Sequence, residues 1–164
     1  GRILVSRFQI SHDQCATFIP VYGIPHSKNG INNILRTQDA DENIMLREMA
    51  EVQSFVRDTI RQAYKTNDYI FVFGDMQDTP DNSNIFHIGK CRIPKHPLGI
   101  IKECESAELT CTIYRHLDDL EKPIISRHGP KGGRFIDSMY ACSEGIEKVM
   151  KMNCPSRPTT QASQ

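Results

Sequence analysis

With 164 residues the chain is long enough for one domain with a sizeable buried core. Its 20 Lys and Arg balance 20 Asp and Glu, which excludes a global basic field for nucleic acid or anionic membranes and leaves only local basic surface. The six cysteines (Cys15, Cys91, Cys104, Cys111, Cys142, Cys154) lie far apart, with no C-x-x-C pair and no zinc-type histidine spacing. Reduced thiols in an intracellular, nuclear or cytoplasmic protein are the expectation, and a bridged secreted form is the other reading. No signal-peptide pattern and no apolar run of bilayer length occurs, so no membrane partner is expected.

Gly1-Arg2 lead straight into a strand pattern with no initiator Met, which suggests an internal segment of a longer chain. Ile3, Val5, Phe8 and Ile10 alternate imperfectly with polar residues, and Cys15 to Tyr22 (CATFIPVY) reads as a second strand after the turn Ser11-His12-Asp13-Gln14. The pair predicts an antiparallel hairpin, with Pro20 marking an edge or a bulge. Gly23 to Asp41, rich in Gly, Asn and Pro, predicts a surface loop. Glu42 to Lys65 is the clearest helix: Met45, Met49, Val52, Val56 and Ile60 recur at helical spacing, and Arg47, Glu48, Glu51, Arg57, Asp58 and Arg61 take the other side.

Thr66-Asn67-Asp68 turns the chain into Tyr69-Ile70-Phe71-Val72-Phe73, a short apolar run of the kind buried on both faces. The run is expected to stop at Gly74, and Asp75, Gln77 and Asp78 follow it at once. Polar groups there point to a site at the carboxyl edge of a sheet, although Asp78-Thr79-Pro80-Asp81-Asn82 is also ordinary turn chemistry. Ile85 to Ile101 looks irregular, with a basic group of Lys90, Arg92, Lys95 and His96. Leu98 to Ala107 predicts a short helix, and Leu109 to Leu120 has no decisive period. Lys122 to Arg134 reads as a loop with five basic or potentially basic residues, three glycines and no acid. Phe135 to Cys142 predicts a strand carrying Asp137, Gly145 to Met152 a helix, and 155–164 a polar tail or a connection to a missing final strand.

These stretches resemble the endonuclease/exonuclease/phosphatase superfamily of metal-dependent phosphodiesterases, and most closely the apurinic-type endonuclease domains of retroelements. Val21-Tyr22-Gly23-Ile24-Pro25 resembles the family's V-Y-x-P with one extra residue, and Gly74-Asp75-Met76-Gln77 resembles G-D-x-N with Gln77 in place of Asn. Tyr114-Arg115-His116-Leu117 and Arg134-Phe135-Ile136-Asp137 resemble Y-R-x-L and R-I-D-Y, in order and at plausible spacing. The resemblance covers residues 1 to 142 and implies an α+β fold, part of a four-layer sandwich of two mixed, mostly antiparallel sheets flanked by helices. Residues 1–154 would then be the carboxyl-terminal portion of such a domain. The family's upstream half, with an Asn and the metal-binding Glu, and its closing S-D-H have no counterpart in these residues.

By that resemblance the chain is a segment of a phosphodiesterase requiring Mg²⁺ (or Mn²⁺), acting on DNA as the retroelement nucleases do. Asp75 would orient or deprotonate the attacking water. Gln77 would donate to a phosphate oxygen or hold Asp75, and Tyr22 would place its hydroxyl on the phosphate. Asp137 would orient the family's histidine. Arg127, Lys131 and Arg134 would contact the nucleic-acid backbone, with the glycines allowing close approach. The alternatives are a phosphatase or phosphodiesterase for inositol phosphates, lipids or RNA, and a remnant of the fold without catalysis, which Gln77 and the unmatched ends favour.

Overall fold

The computed structural model describes residues 2–24, 42–80, 86–89, 98–114, 125–129 and 132–148, which form an α+β structure with a five-stranded mixed sheet, a small three-stranded sheet and three helices. The amino-terminal pattern folds as the expected hairpin, β1 (Ser6–Ser11) against β2 (Gln14–Tyr22), turning through His12 and Asp13. β2 is an inner strand, so Pro20 does not mark an edge. It stands opposite Leu4, whose N–H donates to the Pro20 carbonyl at 3.2 Å, just beyond the end of the β1 ladder. The bond that a proline N–H would have returned falls in that gap, where the ladder is already interrupted.

α1 (Glu42–Lys65) has the predicted bounds, and Lys65 in its last turn suits the negative end of the helix dipole. Its apolar stripe is buried at Met45, Met49, Val56, Ile60 and Ala63, while Phe55 faces solvent. The chain then enters β3 (Tyr69–Asp75), which pairs parallel with β2 along its whole length, as a helical crossover requires. On its other side β3 pairs antiparallel with β8 (Asp137–Ala141), and β8 pairs with the two-residue β5 (Thr110–Cys111). The order across the sheet is β1-β2-β3-β8-β5.

Being central explains why β3 reads as unbroken apolar sequence. Its Ile70 and Val72 join Ile19, Val21 and Tyr140 in one core with Val56 and Ile60 of α1 and with Ile101 and Cys104 of α2 (Ile100–Ser106). Full burial of each such aliphatic side chain contributes roughly 1.5–3 kcal/mol. Phe71 belongs to a second cluster with Ala16 and Ala141, packed against Phe18, Phe73, Met139 and Ile146, the last from α3 (Ser143–Lys148). Phe18 stacks on Phe71 at 5.1 Å and meets Phe8 edge-on at 5.7 Å. This second face is thinly covered: Phe8 is 58% exposed and Ile10 57%. The alternation in β1 therefore does not mark a half-buried strand; its burial pattern is almost wholly exposed.

The irregular regions hold the surprises. β4 (His87–Gly89), β6 (Arg127–Gly129) and β7 (Gly132–Arg134) make a small antiparallel sheet in the order β4-β7-β6. Within the basic segment expected as a loop, Arg127–Gly129 and Gly132–Arg134 are thus paired antiparallel strands, from Arg127 opposite Arg134 to Gly129 opposite Gly132. Short runs dense in glycine carry no period-2 signal, which is why the sequence conceals these strands. Among the described residues no helix is long and apolar enough to cross a membrane.

Candidate functional site

The site at the carboxyl end of β3 begins with Gly74. Its φ is +131°, a value L side chains rarely adopt, and a Cβ there would collide with the Val21 carbonyl oxygen. Glycine lets the strand keep register for one more residue than expected, so Asp75 stands in the ladder and not on the following loop. The anchoring is tight: Gly23 N–H donates to the Asp75 carbonyl at 2.6 Å, and Met76 N–H to the Ile136 carbonyl at 2.8 Å.

Register then brings three sequence-predicted residues into one row. Asp75 is the partner of Tyr22 on β2 and of Asp137 on β8. Because Met76 bonds Ile136, the neighbouring Asp75–Asp137 pair is of the non-hydrogen-bonded kind, whose Cα atoms approach to about 4.5 Å. Tyr22 is 52% exposed and Asp137 is exposed, with Asp75 half-buried between them, so the row opens to solvent. Ser126 fixes the start of β8, its hydroxyl oxygen accepting from the N–H groups of Ile136 (2.9 Å) and Asp137 (3.2 Å).

Gln77 lies beneath the row, only 1% exposed. Its backbone N–H donates to Asp75 Oδ1 at 3.0 Å, an Asx-turn bond, and its side-chain Nε2 donates to Asp75 Oδ2 at 2.6 Å. Of the two roles read from sequence, holding Asp75 is the one this geometry contains. Gln77 reaches it from the left-handed region, φ 55°. The turn after it is buried too, with Asp78 Oδ1 accepting from Thr79 N–H at 2.9 Å. A buried turn of polar groups is unusual, since each must be satisfied locally.

Asp75 and Asp137 supply two carboxylates, yet both oxygens of Asp75 already accept bonds from Gln77. Mg²⁺ demands near-octahedral oxygen coordination, and among the described residues no group of three or more His, Cys, Asp or Glu could hold a metal. Asp75 and Asp137 by themselves do not complete a metal site among the described residues.

Of the other expected contacts, Arg127 and Arg134 lie on the second, small sheet. Arg127 pairs in register with Arg134, and Arg134 with His87, so three cationic or potentially cationic positions cross the small sheet side by side. Lys131 and the Arg115-His116-Leu117 part of the Y-R-x-L likeness lie outside the described residues. Tyr114 is partly exposed, its ring edge-on to Phe86 at 5.8 Å, a packing contact.

Sequence reasoning missed the half-buried ion pair beside α1. Asp68, expected as a turn residue, is buried and accepts from Arg7 Nε at 2.7 Å, Arg7 Nη2 at 2.9 Å and Thr17 Oγ1 at 2.7 Å. The Arg7 fork, with help from Thr17, holds the Asp68 carboxyl down to about 2 against the opposing effect of burial. The four described cysteines, Cys15, Cys104, Cys111 and Cys142, are free thiols, and burial pushes the Cys104 thiol far up, as suits an inert core residue. Comparison of the chain with protein families, with curated proteins and with solved structures finds no match.

Proposed function

We propose that this chain is a segment of a divalent-metal-dependent phosphodiesterase, and that its substrate is DNA, hydrolysed as a retroelement-type endonuclease does. The observation that carries the reading is the row Tyr22–Asp75–Asp137. These residues stand 53 and 62 positions apart in sequence, on three strands, and they meet in register at one sheet edge with Gln77 gripping the central acid. Nothing in sheet stability calls for two acids side by side; like charges directly opposite are destabilising. Asp75 is the water-activating group of this reading, Tyr22 the phosphate contact, and Asp137 the partner of a histidine that the 164 residues do not match. The metal belongs to the complete domain.

The thinly covered sheet face supports the four-layer part of the reading. Phe8, Ile10 and Phe18 are where a second sheet would pack, face to face at about 10 Å. The paired Arg127 and Arg134 positions support the nucleic-acid part, since adjacent cations are tolerated where a polyanion neutralises them.

A second reading has its own observation. The Gln77 amide gives one of its two N–H groups to Asp75 and is only 1% exposed, so it is turned into the protein and not presented to a phosphate as the family's Asn would be. That favours a fold remnant without turnover. One experiment separates the two: the chain is fused to the upstream half and closing S-D-H segment of a family member, and nicking of supercoiled plasmid in Mg²⁺ is followed. Nicking that Asp75→Asn abolishes supports the enzyme. A folded fusion that binds DNA and never nicks it identifies the remnant.

A further inference from the structure

The row of site residues has a fourth member. Tyr22 N–H donates to the Arg2 carbonyl at 2.8 Å, and the adjoining bridge pairs Ile3 with Val21, so Arg2 stands directly opposite Tyr22. The Arg2 guanidinium carbon lies over the Tyr22 ring, 5.8 Å from its centroid. Across four neighbouring chain segments the sheet edge therefore reads Arg2, Tyr22, Asp75, Asp137: a cation, a phenol and two carboxylates. Among the described residues no carboxylate forms an ion pair with Arg2, whereas Arg7 on β1 is engaged by both oxygens of Asp68.

We infer that Arg2 is an anion-binding residue of this edge, taking a phosphate oxygen beside Tyr22. The inference rests on the phosphodiesterase reading only for the identity of the phosphate's owner, the DNA backbone. Stacking on a ring holds the guanidinium at one place while leaving its N–H fork free, and that fork matches two oxygens of a phosphate. Adjacent strands lie about 4.8 Å apart, so Arg2 and Asp75 are separated by roughly 10 Å at their backbones. An arginine side chain reaching inward across Tyr22 spans much of that gap. A phosphate over Tyr22 would thus have its charge met on the Arg2 side and its phosphorus turned toward Asp75. Repulsion from the two carboxylates would bar the anion from settling any deeper. The opposite order, with the cation among the acids, would form an ion pair and leave no anion site.

The test uses the ¹⁵N-labelled chain and two probes. Inorganic phosphate is titrated against the Arg2 Nε–Hε signal, with chloride at matched ionic strength as control, and a fluorescein-labelled duplex of about 20 base pairs is titrated by anisotropy at several salt concentrations. The expected result is a saturable phosphate shift at Arg2 that chloride does not produce. Arg2→Gln should weaken duplex binding about tenfold and make the salt slope shallower by about 0.9, with Arg2→Lys recovering part of both. Duplex binding that Arg2→Gln leaves untouched, with no phosphate shift at Arg2, overturns the inference and spares the DNA reading; a lower melting temperature alone would then mark Arg2 as a packing residue. A phosphate shift at Arg2 with no duplex binding supports the inference and overturns the DNA reading.

Discussion

Asp75 and Asp137 face each other across β3 and β8 as a non-hydrogen-bonded pair, the arrangement that brings cross-strand side chains closest. The half-buried acid carries two donors from Gln77, and the exposed one carries none of these. A folding role alone would not select this pair. Asp137→Asn should therefore stabilise the chain, by about 0.5 kcal/mol, through loss of cross-strand repulsion. The urea midpoint should rise with unchanged slope. A fall would mean that the Asp137 charge is compensated in the folded chain.

Gly74→Ala should be severe. The residue would be forced to φ +131° with its Cβ against the Val21 carbonyl, and strain of this kind costs about 2–3 kcal/mol or more. The loss is read as a drop in urea midpoint. A loss under about 0.5 kcal/mol would show that the β3 edge relaxes freely, and the register holding Asp75 opposite Tyr22 would no longer stand.

The Arg7–Asp68 pair sets an acid limit. Asp68 titrates at about 2 in the folded chain, below its ordinary 3.8. A depressed carboxylate contributes stability above the unfolded value, and loses it as pH falls from about 4 toward about 2. The contribution is on the order of 2 kcal/mol at neutral pH. Urea unfolding measured from about pH 6 down to about pH 2 should show this loss, and Asp68→Asn should flatten it while lowering stability at the upper end. An unchanged acid slope in Asp68→Asn would assign the loss to other carboxylates.

The basic strand pair gives a prediction of a different kind. Arg127 and Arg134 are register partners on β6 and β7. If they meet a nucleic-acid backbone, Arg127→Ala with Arg134→Ala should weaken binding alike across duplex sequences. The salt slope should also fall by nearly one for each phosphate that is no longer neutralised. An effect confined to one target sequence would instead indicate base readout. Unchanged affinity and slope would remove the strand pair from the interface.

Much of this architecture was legible in local pattern. Period-2 and period-3.6 hydrophobicity located the hairpin, α1 and β3, and an apolar run flanked by Gly74 announced a central strand ending in polar residues. Tyr22, Asp75, Gln77 and Asp137 were readable as candidates because each sits in a short motif. What the sequence could not state is adjacency. Only the parallel pairing of β2 with β3, and the antiparallel return of β8, put Tyr22, Asp75 and Asp137 in one row, because strand register is set by tertiary packing and not by neighbours in the chain. The same limit hid Arg2, which joins the row through two backbone contacts at the open end of β2. It also hid Asp68, whose partner Arg7 lies 61 residues away, and the small β4-β7-β6 sheet, whose glycine-rich strands are defined by pairing and not by side-chain preference.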